Sequence, residues 1–169
     1  MHAGGGNVRS YQNVRFALEV SVLSLGQAST IVEHALRHAR ELDLPPMTVA
    51  VLDAGGHLVA FAREDGSSLL RERIARGKAL GALNMGVGSR ALAGRAAAHP
   101  AFINAVTALA EGNLVPVPGG VLVRAALPDQ AGAGAIIGAV GVSGDRPDLD
   151  EECAVHGIES AGLPADPGT

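Results

Sequence analysis

The segment MTVAVLDAGGHLVAFAR (Met47–Arg63) limits the fold more than any other part of the chain. Two apolar, β-branched runs are separated only by Ala54-Gly55-Gly56, whose glycines accept positive φ. Such a segment closes into a β-hairpin. Two strands alone are marginal in water, so the hairpin needs further strands and a helix to cover it. Strands are expected at Leu114–Pro118, Gly120–Ala126 and Ala135–Val142. The last is apolar almost throughout, which suits a central strand. Val14–Val22 alternates apolar with polar residues, as a half-buried strand does. The strands come in runs joined by short turns, so the sheet is mainly antiparallel and helices must cover its faces.

Helices fill the intervals. Ser24-Leu25-Gly26-Gln27 has the form of a capping box. The helix it opens places Leu25, Ala28, Val32, Ala35, Leu36 and Ala39 on one face and stops before Pro45-Pro46. A second helix, with Ser67 or Ser68 as its cap, runs to about Met85. It carries Gly77 and Gly81, with Gly86 and Gly88 beyond. Each glycine inside a helix costs roughly 1 kcal/mol, so something is expected to pack close to that backbone. Short helices are expected over Ala91–Ala98 and Ala101–Ala110, broken at His99-Pro100. A last helix, begun by Asp148 and Glu151, runs to about Ala161. Residues 1–12 read as a loose arm, 13–162 as one domain and 163–169 as a frayed tail.

Composition removes several function classes. The 169 residues suffice for a single core, and 47% of them are hydrophobic. Only 2% are aromatic; alanine and glycine, with 23 Gly, supply the bulk instead. That leaves no stacking platform for single-stranded nucleic acid. A net charge of -4 gives no basic face for a phosphate backbone, so no nucleic-acid partner is expected. Gly132–Val142, the longest apolar stretch, is too short to span a bilayer, and no membrane partner is expected. One cysteine, Cys153, makes no internal disulfide. The first residues lack the apolar run of a signal peptide, and a cytoplasmic protein is expected.

No strong catalytic signature is present: there is no P-loop, no GxSxG and no HExxH. The weaker candidates are individual residues. Lys78 sits among Gly77, Ala79, Gly81 and Ala82, where a lysine either binds an anion in a pocket or snorkels as a structural residue. Glu72, on the same helix, is a partner for acid/base chemistry. Gly119-Gly120 offers backbone amides for an anion, or a plain tight turn. His34 and His38 lie four apart on one helix, as a metal pair or as a solvated face. His57, His99 and His156 are isolated imidazoles, either suited to axial ligation or proton transfer or simply exposed or hydrogen-bonded histidines. Cys153 lies near a helix start crowded with acids, which argues against a nucleophile.

Four strings occur in order: LSLGQASTIVEHALRHARELDLPPMTVAVLDAGGHLVAFAREDGSS, IARGKALGA, VPVPGGVLV and IIGAVGVSGDRPDLDEECA. Together they resemble the GlcG/HbpS-like family, a heme-binding-protein-like group that includes the C-terminal domain of PduO-type proteins. The resemblance spans Leu23–Ala161. It implies a profilin-like α/β (α+β) fold: a five-stranded antiparallel sheet with helices on both faces, the Val14–Val22 segment being an extra or edge strand. It also implies homo-oligomers, from dimer up to octamer. Asp53, Gly56, Arg63 and Asp65 match the family's hairpin motif. Lys78 matches its helix lysine, and Gly119 and Gly120 its paired-glycine turn. Gly138, Gly141, Ser143, Gly144 and Asp150 match its C-terminal motif. Where the family has an aromatic and a threonine after the lysine, and a proline after the glycine pair, this chain has Leu80, Gly81 and Leu122. Those changes are expected to widen and flatten the region.

Three functional expectations result. The first is a small-ligand-binding protein, with heme or another tetrapyrrole as the ligand the family implies and His99 or His156 as its axial histidine. The second is a cofactor-independent tautomerase, isomerase or dehydratase acting on a small organic acid. Lys78 and Glu72 would be its catalytic groups, and the Gly119 and Gly120 amides would hold a carboxylate or enolate. The third is a structural oligomer without a ligand. No metal site is assigned.

Overall fold

The computed structural model describes residues 22–126 and 134–169. The expected arm and all but the last residue of Val14–Val22 lie outside the described residues. The elements run α1 (Leu25–Glu41), β1 (Thr48–Asp53), β2 (Leu58–Arg63), α2 (Leu70–Met85), α3 (Ser89–Ala98), α4 (Pro100–Leu109), β3 (Gly120–Arg124), β4 (Ile136–Ser143), α5 (Pro147–Ser160) and β5 (Ala165–Asp166). The five strands form one sheet in the order β2-β1-β4-β3-β5. Every pairing is antiparallel, and β4 is central. Helices lie on both faces, so the fold is the α+β class the resemblance implies.

Strand alternation sorts the core into two layers. Val49, Val51, Val121, Val123, Val140 and Val142 face α1 and α5, meeting Ala28, Ile31, Ala35, Ala39, Ala154 and Ile158. Leu52, Leu122 and Ala139 face α2, meeting Ala79 and Ala82. On this second face the sheet is unusually flat. Ala50 pairs with Gly141, and Gly141 with Gly120, so three neighbouring strands present almost no side chain. The α2 backbone settles into that space. A Cβ at Gly141 would collide with the Ala75 carbonyl, and one at Gly120 with the Lys78 carbonyl.

The capping box of α1 forms as expected: the Ser24 hydroxyl accepts from the Gln27 amide and the Gln27 side chain accepts from the Ser24 amide. Other expectations need correction. Ser67 does not cap α2; its hydroxyl is buried against Thr48 Oγ1 at 2.9 Å. Leu114–Pro118 is not a strand. Pro116 and Pro118 have no N–H to give a ladder, and the segment instead lies along α2, where Val115 seats on Gly77 and Leu114 on Gly81. This is the close neighbour the α2 glycines foreshadow. Residues 163–169 do not fray. Ala165 and Asp166 pair with β3, and Asp166 takes the Arg124 guanidinium.

Two glycine substitutions test this packing in opposite directions. Gly141→Ala drives a methyl into a backbone carbonyl, and urea denaturation should show a loss of about 3 kcal/mol, the upper range for overpacking. Gly94→Ala, inside α3 with open space around it, should gain about 0.5–1 kcal/mol from helix propensity.

Candidate functional site

Lys78 is buried to 1% exposure, and its ammonium makes two hydrogen bonds. It donates to Asp150 Oδ2 at 2.6 Å and to the Val142 carbonyl at 3.0 Å. Asp150 Oδ1 accepts from the Gly144 and Asp145 amides at 2.9 and 3.0 Å. One lysine–carboxylate pair therefore fastens α2, the end of β4 and the start of α5. Burial pushes the Lys78 pKa below that of a free lysine, and the Asp150 charge pulls it back up. Gly119, at φ +110°, closes the site: a Cβ there would lie 2.8 Å from Lys78 Nζ and 2.9 Å from the Asp150 Cβ. Only glycine meets both the backbone angle and the space.

Of the two amides expected to form an anion cradle, that of Gly120 is taken. The Gly120 amide donates to Ser89 Oγ at 2.7 Å, and the Gly119 carbonyl accepts from Val142. Glu72 does not join Lys78. Six positions on a helix turn it to a different side, where it faces Arg76 at 3.7 Å and is half-exposed. It lines a separate small cleft with Arg73, Arg76 and Glu111. The widening expected at Leu80, Gly81 and Leu122 is absent too: Leu114 fills the space at Gly81, and Leu122 is fully buried. Beside this node, Arg90 of α3 gives both Nε and Nη2 to Glu151 Oε1, while the buried Glu151 Oε2 has no partner among the described residues. Ser89, Arg90 and Glu151 had no distinguishing sequence signal; their contacts cross between distant segments.

Imidazoles gather elsewhere, along the seam between α1 and α5. Gly157 makes that seam tight, since a Cβ there would lie 2.6 Å from the Ile31 carbonyl and 3.1 Å from the Ala35 methyl. The close crossing brings His156 of α5 onto the face carrying His34 and His38. The His38 and His156 rings stack, with centroids 4.2 Å apart and planes at 9°. His34 lies 6.4 Å from His156. Both His38 nitrogens are occupied, by Glu152 at 3.0 Å and Glu41 at 3.3 Å. His156 has no hydrogen-bond partner among the described residues and is half-buried. His99, by contrast, is exposed at the α3–α4 break. His57 is also exposed and contacts Asp53 at 3.2 Å, closing the hairpin turn. Among the described residues no group of three or more His, Cys, Asp or Glu is arranged to hold a metal ion.

A family model described as "Haem degrading protein HbpS-like" matches residues 23–159. The chain belongs to the HbpS-like family. Solved structures share its fold. A PduOC:heme complex is 22% identical with a TM-score of 0.73, over 85% of this chain and 97% of that one. The Klebsiella pneumoniae protein ORFY is 21% identical with a TM-score of 0.71, over 85% and 93%. A doubly substituted Streptomyces reticuli HbpS is 26% identical with a TM-score of 0.68, over 94% of each chain. No curated protein matches the sequence. No helix of the described residues is long and apolar enough to cross a membrane.

Within this HbpS-like domain Cys153 of α5 is free and fully buried. Burial, aided by the Asp150 and Glu152 charges, pushes its thiol up to about 12. A thiol reagent at pH 8 should leave the folded protein unlabelled and modify it fully in urea. Fast labelling without denaturant would contradict the burial. Lys78→Met strands the Asp150 charge and should cost about 3–5 kcal/mol by denaturation. Lys78→Met with Asp150→Asn removes that charge yet keeps an acceptor for the Gly144 and Asp145 amides. The double variant should be more stable than Lys78→Met alone.

Proposed function

We propose that this HbpS-like chain binds a tetrapyrrole of the heme class at the α1–α5 seam, with His156 as the axial ligand. The carrying observation is the character of the imidazole cluster. Its rings stack instead of converging, which does not suit a bare ion needing several protein ligands. A heme iron arrives with four ring nitrogens of its own and asks the protein for one or two imidazoles. His156 is half-buried and without a hydrogen-bond partner, so it meets that demand. The family model's description and the heme-bound PduOC relative support the same reading.

Each neighbouring residue has a part. His38, fixed at both nitrogens by Glu41 and Glu152, is a rigid plate on which the His156 ring rests. Gly157 sets the depth of the seam and hence the exposure of His156. His34 stands close enough to serve as a second ligand after a side-chain rotation. Heme bound in this way would supply redox chemistry at its iron. The proton-transfer reading receives no comparable support, because Lys78 and Glu72 are apart and the Gly120 amide is engaged.

Association with further copies, from dimer up to octamer, belongs to this reading, as does a cytoplasmic site of action. Phe102 and Leu109 of α4, exposed by 54% and 85%, support burial between subunits. Hemin added to the wild-type protein should give a saturable Soret band. His156→Ala should shift that band and weaken binding at least about tenfold, a modest estimate for loss of an axial bond. His99→Ala should leave both unchanged. Equal spectra and affinities for His156→Ala and wild type would overturn the assignment.

A further inference from the structure

A second cleft, of about 460 Å³, is lined by Arg40, Pro46, Arg63, Glu64 and Asp65. Its charges are of two kinds. Arg40 and Glu64 are satisfied by their surroundings: Arg40 Nε lies 3.1 Å from Glu64 Oε1, Arg40 Nη2 donates to the Pro45 carbonyl, and Glu64 Oε2 accepts from the Met47 amide at 2.7 Å. This pair forms a fixed wall. Arg63 and Asp65 are different. Arg63 uses only Nη1, which donates to the Ser67 carbonyl at 3.0 Å. That bond orients the guanidinium while Nε and Nη2 have no partner among the described residues. Asp65 sits in the Glu64–Ser67 turn, closed by the Ser67 amide on the Glu64 carbonyl at 3.1 Å. Its carboxylate has neither an ion-pair nor a hydrogen-bond partner among the described residues.

Two opposite charges thus line one cleft without pairing to each other. We propose that this cleft binds a small organic acid bearing a hydroxyl or ammonium group beside its carboxylate. The ligand carboxylate takes the free edge of the Arg63 fork, a geometry suited to bidentate pairing. The adjacent hydroxyl or ammonium donates to Asp65. A simple carboxylate would satisfy Arg63 alone and leave Asp65 unused, so the cleft selects for the second group. Arg40 adds positive potential, and its ion pair with Glu64 keeps it from competing for Asp65. The lining is charged and carries no imidazole, which suits a small polar acid and not a tetrapyrrole, so this site is separate from the seam.

The test is titration of the full chain with L-lactate and with propionate, which lacks only the hydroxyl, followed by amide NMR shifts of residues 63–67. Lactate should bind saturably and more tightly than propionate. Arg63→Met should weaken both acids at least about tenfold, as loss of a charged bidentate contact does. Arg63→Lys, which retains a donor for Ser67, should recover part of the affinity and confirms that the turn is intact. Asp65→Ala, which removes the acceptor, should lower the preference for lactate over propionate. His156→Ala should bind lactate as wild type does. The proposal is overturned if neither acid gives saturable shifts in the wild-type protein. It is also overturned if Arg63→Met melts normally and binds equally well, or if Asp65→Ala leaves the preference for lactate over propionate unchanged.

Discussion

The Lys78–Asp150 pair is the contact on which the arrangement of layers depends. Its two residues are 72 positions apart in the chain and almost wholly buried. A buried ion pair is a poor source of net stability, because desolvating both charges offsets most of their attraction. Its value here is positional. The Lys78 side chain can reach Asp150 only if α2 lies almost on the sheet, and α2 lies there only because Ala50, Gly141 and Gly120 leave room. The carboxylate in turn gathers the two amides that start the turn into α5. Helix α5 is thereby placed against α1, and the imidazole seam follows.

This dependence explains the composition. A chain poor in aromatic residues cannot fill wide gaps between layers with large side chains. It closes the gaps instead, using alanine and glycine so that backbones approach one another. Gly157 at the α1–α5 seam and Gly141 under α2 are two instances of one strategy. Close approach on both faces leaves little internal space, and the two sites proposed for ligands lie at seams and edges. The imidazole face and the Arg63–Asp65 cleft both lie at such margins.

Local signals in the sequence reached as far as local physics does. The Gly55-Gly56 hairpin, the Ser24 capping box and the apolar β4 are each determined by neighbours in the chain, and each forms. Leu114–Pro118 reads as a strand by its apolar residues, yet its two prolines and the α2 glycines make it a connector. The last residues look too polar and Pro-rich to order, but β3 offers a free edge and Arg124 a charge. Site chemistry was harder to see. Lys78 stood out for its small neighbours, while the carboxylate that fixes its role comes from a distant helix. His38 and Glu152 are 114 positions apart, so no spacing rule joins α1 to α5. Arg63 and Asp65 read as hairpin-motif positions, and only the turn after β2 shows that they share a cleft.

We propose that the Lys78–Gly119 node is closed and structural while the α1–α5 seam receives the tetrapyrrole. Amide NMR shift mapping with a diamagnetic gallium protoporphyrin, used in place of heme, tests this directly. Its largest shifts are expected at residues 34–38 and 152–159, with the amides of Lys78, Gly119 and Gly120 unmoved. Largest shifts at Lys78, Gly119 and Gly120, with a silent seam, would contradict it.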